Sequence, residues 1–167
     1  MAKNSINFEG YSQETLRKIT AAALLRIKNP QYGIGKELFD AIIKMVPQTA
    51  IEAIIVDDIK SPKKVLLTQR SDTYYQGWHF PGSFIRFKEK MQDAVRRVVL
   101  SEVGANIQTI KDLNKKYEHF DGRGHSIGLL FLVTLSSQPK AGQWFYTIPK
   151  KIIAHHKKII KDVMGWR

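Results

Sequence analysis

Cysteine is absent from all 167 residues, which removes disulfides and thiolate metal sites and is compatible with a reducing compartment. No apolar run approaches the roughly 18 residues of a membrane-spanning helix. The first 30 residues lack the basic, apolar and small-residue order of a signal peptide. A cytoplasmic protein with no membrane partner is expected. Acidic residues are scarce: 15 against 27 basic ones give a net charge of +12. Such a field attracts anions, whether nucleotides, nucleic acid or acidic surfaces. No Ser–His–Asp pattern sits on a nucleophile elbow, which argues against nucleophilic hydrolase chemistry.

A hydrophobic fraction of 43 % over this length fits one domain with an appendage. Ser12 caps a predicted helix to about Lys28, which Asn29-Pro30 ends. A second helix is predicted over Lys36–Val46 and stopped by Pro47. Residues 1–47 are therefore read as an N-terminal helical pair and 48–167 as the main domain. Ala50–Val56 and Lys64–Gln69 read as a strand hairpin, Ser71–Trp78 as a loop, and His79–Phe87 as extended. Met91–Val103 reads as helix, Ile107–Tyr117 as mixed, and Asp121-Gly122-Arg123-Gly124 as a turn. Ser126–Leu135 is the most apolar strand, Ser136–Gly142 a loop, Gln143–Ile148 a short strand or bend. Pro149 opens a last helix to about Met164. Strands around one mid-chain helix, with another closing the chain, give an α/β (α+β) class with a mixed sheet.

The stretch Gly77–Gly104, GWHFPGSFIRFKEKMQDAVRRVVLSEVG, carries the most information. It resembles the Nudix box, G-x5-E-x7-R-E-U-x-E-E-x-G-U, with Glu102-Val103-Gly104-Ala105 as its E-x-G-U end. Arg97 then takes the box arginine and Glu89 the first glutamate; Val98 and Ser101 replace two others, and Ser83 replaces the glycine. In the intact pattern, carboxylates on one helix face hold divalent cations against a pyrophosphate. The pattern that lacks the same two glutamates is similar to that of GDP-mannose mannosyl hydrolases. Met45-Val46-Pro47 before Ile51-Glu52, the segment Leu66–Arg70, and Gln76-Gly77-Trp78 before Phe80-Pro81-Gly82 extend the resemblance over roughly residues 38–150.

The resemblance implies a Nudix-type α/β/α sandwich and a single Mg²⁺ or Mn²⁺, ligated by Glu102, the Gly82 carbonyl and Gln138. It implies Arg70 on the diphosphate, Glu52 near sugar or base, and Arg97 as loop support that also touches phosphate. Glu89 and Gly104 are structural members of the box. Trp78 and Arg86 are further substrate-binding candidates, Arg86 because Phe84 stands where the family has an arginine. Pro139 occupies the place of the family's general-base histidine, leaving His119 and His125 as candidates. Adjacent His155 and His156 diverge by about 100° on a helix, against a shared metal.

Three functions stand at this level. The first is displacement of the sugar of a nucleoside diphosphate sugar at its anomeric carbon, in the GDP-mannose manner. The second is P–O cleavage of a nucleoside diphosphate derivative, with Glu89 or Glu118 supplying missing carboxylate. The third is an inactive module that binds nucleotide or nucleic acid. The resemblance also implies a homodimer.

Overall fold

The computed structural model describes residues 6–167, with Asp121 in its backbone only. Residues 1–5 of the expected appendage and of the region read for a signal peptide lie outside them. The elements, in chain order, are α1 (Gln13–Leu24), a 3₁₀ turn (Pro30–Tyr32), α2 (Lys36–Ile42), β1 (Gln48–Val56) and β2 (Val65–Ser71). They continue with β3 (Gln76–His79), β4 (Gly82–Phe84), α3 (Met91–Val103), β5 (Ile107–Asp121), β6 (Gly124–Leu135), β7 (Gln143–Phe145) and α4 (Ala154–Met164). The strands make a mixed sheet of order β3-β2-β1-β6-β5, with β4 on β1 and β7 on β2. β1 runs parallel to β6, while its other pairings are antiparallel.

Alternation along β1 builds two cores. Ile51, Ala53 and Ile55 face α3, meeting Ala94, Val95, Val99 and Val103. Ile54 and Val56 face the other way, joining Leu130 and Leu132 against Ile159 and Ile160 of α4. The result is the expected α/β/α sandwich. Glu52 falls on the α4 side of this alternation, so a carboxylate stands in an otherwise apolar strand.

Several boundaries differ from expectation. α1 stops at Leu24, because the amides of Arg26 and Ile27 tighten onto the carbonyls of Ala23 and Leu24. Asn29 then turns left-handed (φ 53°) ahead of Pro30. α2 ends at Ile42 rather than Val46. Residues 76–78, expected as loop, join His79 in pairing with β2 as β3. That strand also holds the last helix back: Trp78 N–H donates to the Lys151 carbonyl (2.7 Å) and Ile153 N–H to the Trp78 carbonyl (3.0 Å). Ile152 thereby bridges Trp78 and Ile153 is extended, and the helix begins at Ala154 instead of Pro149. The mixed segment is one long strand, β5, whose register shifts between Asp112 and Lys116, where Asn114 takes φ 51°.

Candidate active site

The loop–helix that resembles the box is fastened by Arg97. Its Nε and Nη2 donate to the two Glu89 oxygens at 2.6 and 2.8 Å, and Nη2 also reaches the Phe84 carbonyl at 3.1 Å. This fork holds the Glu89 carboxyl below its usual range. Gly104, at φ 66°, ends α3 one residue after Val103. Glu89 is thereby committed to Arg97, and Gly104 closes the helix that carries both Arg97 and Glu102.

Glu102, at the C-terminal end of α3, accepts the Gly82 amide at 3.3 Å. Gly82 pairs with Glu52 across β4 and β1. A Cβ on Gly82 would meet Glu52 Oε2 at 2.6 Å and the Ile51 carbonyl at 2.9 Å, so the Glu52 carboxylate and the β1 backbone crowd a point that only glycine leaves open. Burial, reinforced by the Glu102 charge, pushes Glu52 up to about 8, against Arg70 and Arg123. Burial likewise pushes Glu102 up to about 7, against the Gly82 amide, Arg70 and Arg97. Glu52 Oε2 is buried without a hydrogen-bond partner among the described residues; His156 Nδ1 lies 3.9 Å from it. That nitrogen accepts the Phe80 amide at 3.3 Å. The imidazole proton therefore sits on Nε2, and burial, with the neighbouring histidines and Arg70, holds this histidine neutral well below its ordinary pKa.

Glu52 opens on a cavity of about 670 Å³. Its polar lining includes Arg70, Arg86 and Arg123, and its floor carries His79, His119, His155 and His156. The His119 and His155 rings lie 4.4 Å apart, those of His155 and His156 4.2 Å, and those of His79 and His156 5.7 Å. His79 is hydrogen-bonded to Thr68 Oγ1 and driven down to about 4, by burial first and Arg70 second. Arg70 pairs with Asp72 and lies over the Tyr75 ring.

Of the residues expected at the site, the structure brings Glu52, Arg70, Gly82, Arg86 and His119 to this cavity, with Glu102 behind Gly82. Trp78 packs on Phe145 (4.9 Å) in the α4-side core and is not part of the lining. His125 pairs with Glu118 at 2.8 Å and stacks on exposed Phe120, outside the cavity. Gln138 and Pro139 line a separate cavity of about 380 Å³ beside Asp57, Lys64 and Trp144.

Comparison with known proteins decides the family. The sequence model of the NUDIX domain matches residues 47–152. The chain belongs to the Nudix hydrolase family. It is similar to an ADP-ribose pyrophosphatase of Methanocaldococcus jannaschii, 32 % identical over 132 residues that cover 72 % of this chain and 75 % of that protein. In fold it is similar to a MutT NUDIX hydrolase from Burkholderia pseudomallei (TM-score 0.60, 21 % identity, 70 % of this chain and 97 % of that one). It is also similar to a bifunctional NMN adenylyltransferase/ADP ribose pyrophosphatase from Francisella tularensis, solved with AMP and a manganese ion. There the TM-score is 0.54 and the identity 18 %, over 72 % of this chain and 42 % of that one.

The Nudix fold explains why the two missing box glutamates leave no hole. Val98 is fully buried, and Ser101 is exposed, its Oγ turned back to the Val98 carbonyl at 3.1 Å. Residue reasoning missed the pairing of Glu52 with Glu102, and the signal was a charged residue inside the apolar run of β1. His155 and His156, expected to diverge, both reach the cavity with their rings 4.2 Å apart. Among the described residues no group of three or more histidine or acidic side chains is placed to hold a metal. The two carboxylates at Gly82 nevertheless fit one hard divalent cation: hard oxygen donors, a buried oxygen without a partner, and backbone access.

Proposed function

We propose that this protein is a divalent-cation-dependent Nudix hydrolase that cuts the diphosphate of a nucleoside diphosphate sugar of the ADP-ribose type. What carries the reading is the juxtaposition of Glu52 and Glu102 at Gly82, opening on an arginine-lined cavity. P–O cleavage requires more carboxylate than α3 alone offers. Glu89 is held by Arg97 and Glu118 by His125, whereas Glu52 stands beside Gly82. The M. jannaschii relative, named for ADP-ribose cleavage, supports the same substrate class.

Glu52, Glu102 and oxygens of the substrate diphosphate would hold Mg²⁺ or Mn²⁺, a cation content usual where few protein carboxylates are present. When bound, the cation neutralises diphosphate charge and lowers the pKa of the attacking water. The chain's own residues do the rest. The Arg70 and Arg86 guanidiniums clamp the diphosphate, a task suited to planar forks of donors. Gly82 lets phosphate approach backbone. Arg97 and Glu89 fix the loop that carries Gly82. His79 and His156, kept neutral by burial, line the floor without adding charge against the cation.

Displacement at the anomeric carbon remains the second reading, on one observation: His119, a candidate base, lines the cavity. A phosphorus NMR time course on ADP-ribose and GDP-mannose with Mg²⁺ separates the two. Nucleoside monophosphate plus sugar phosphate, absent with Glu102→Gln, is expected. Nucleoside diphosphate plus free sugar would replace this reading by the second. No turnover of either compound would favour a binding module.

A further inference from the structure

We propose that α1 and the segments flanking it form a surface that docks this protein on an anionic phospholipid bilayer. The proposal goes beyond the hydrolase reading and does not depend on it. Helical spacing places Leu16, Ile19, Thr20, Ala23 and Leu24 on one face of α1, at i, i+3, i+4, i+7 and i+8. Glu14, Arg17, Lys18 and Ala21 take the other face. An amphipathic helix packed on a core covers its apolar side. Here not one residue of α1 is buried, and Ile19 and Leu24 are exposed.

The exposure extends past the helix. Among the described residues, eight of the sixteen large hydrophobic side chains that stand exposed fall within residues 6–32. Leu25 is 86 % exposed and Ile6 76 %. Phe8 and Tyr11, on the approach to the Ser12 cap, are exposed with their rings 6.3 Å apart. All of this precedes the family-matched residues, which begin at 47. Exposed hydrophobic residues scattered singly are ordinary; their concentration in one segment marks an interaction surface.

Charge selects the occupant. Residues 13–28 carry four basic side chains and one acidic one, Glu14, which is paired with Lys18 at 2.6 Å. An apolar helix face flanked by arginine and lysine, with aromatic rings at one end, suits the plane of a bilayer surface. The apolar side enters the acyl boundary and the cations meet anionic headgroups. Twelve residues make α1 about 18 Å long, too short for a hydrocarbon layer of roughly 30 Å, so the contact is peripheral. A second copy of the chain fits worse, because each copy carries +12 and repels the other. Nucleic acid supplies anions but no apolar layer to cover Ile19 and Leu24. The surface departs from the sequence expectation of no membrane partner.

Vesicle co-sedimentation at low salt tests this, on phosphatidylcholine alone and on phosphatidylcholine with about one-third phosphatidylserine. Wild type is expected to bind the anionic vesicles at least about tenfold more tightly than the neutral ones, and to be released by about 0.5 M potassium chloride. The double variant Ile19→Glu/Leu24→Glu should keep the wild-type thermal midpoint, since neither side chain is buried, and should lose at least about tenfold in affinity for the anionic vesicles. Arg17→Glu/Lys18→Glu, which leaves the apolar face intact, should lose a similar factor. No binding of wild type to anionic vesicles, equal binding to both kinds, or anionic binding that survives in both double variants would overturn the proposal. A wild-type dimer in sedimentation equilibrium that Ile19→Glu/Leu24→Glu dissolves would also overturn it, by giving the face to a second copy.

Discussion

Glu52 is a glutamate within the apolar run of β1, buried beside a second carboxylate and a neutral histidine. In isolation this arrangement costs stability; in the proposed function a bound cation would turn it into a ligand pair. Glu52→Gln and Glu102→Gln are each expected to lower kcat/KM by roughly 10²-fold or more, the scale of a lost electrostatic stabiliser, checked by steady-state hydrolysis of ADP-ribose. Linkage gives an independent prediction. Both carboxyls have pKa values raised above the ordinary 4.5, to about 8 and about 7, so the folded chain keeps protons that the unfolded chain releases. Their contribution to stability falls as pH rises through that window. His79 and His156 act on the acid side, where neutral folded imidazoles oppose protonation below about 6.5. Between pH 6.5 and 8 only the carboxylates count. The thermal midpoint of cation-free protein should therefore fall across that interval, and should fall less in Glu52→Gln. Scanning calorimetry in chelator checks it.

The elements owe their places to contacts of very different range, and that decided which were legible. Helix α3 is written locally: five buried residues at helical spacing and a glycine in the left-handed region. The hairpin of β1 and β2 and the apolar β6 follow from alternation and turn residues in the same way. Arg97 and Glu89 were legible as a pair because the box fixes their spacing. By contrast β3, which pairs with the preceding β2 on one side, is completed on the other by Lys151, far along the chain. No local pattern carries that, nor the delay of α4 to Ala154. The site divides likewise. Glu102, Arg70 and Gly82 were legible from motif, while the approach of Glu52 to Glu102 needs three elements to assemble. Two predictions belong here. Arg97→Ala strands a largely buried Glu89 and should destabilise by roughly 3 kcal/mol in urea denaturation. Gly124→Ala drives a Cβ into the Ile43 carbonyl at a backbone of φ 154°; it should loosen α2 from the β5–β6 hairpin, read as faster amide exchange over 36–43.

At the scale of the molecule, the proposed function joins the net charge of +12 to the cavity. Lys150, Lys151, Lys157, Lys158 and Lys161 are exposed around the start and face of α4, whose His155 and His156 floor the cavity. A field of this sign raises the encounter rate of a diphosphate and is screened by salt. KM for ADP-ribose should therefore rise with potassium chloride between about 0.05 and 0.5 M, with kcat changed far less. Within the described residues no helix is long and apolar enough to cross a membrane. The N-terminal segment, read from sequence as an appendage, contributes a cavity wall through Phe39; its helical spacing was legible, its place against β4 was not.

The central claim is that Glu52 and Glu102 together hold the cation. Electron paramagnetic resonance titration of Mn²⁺ in the presence of AMP measures that directly, with wild type, Glu52→Gln and Glu102→Gln compared at one pH. The account predicts that each substitution weakens Mn²⁺ binding by at least about tenfold, a loss of roughly 1.4 kcal/mol. Binding by Glu52→Gln as tight as that of wild type would contradict it.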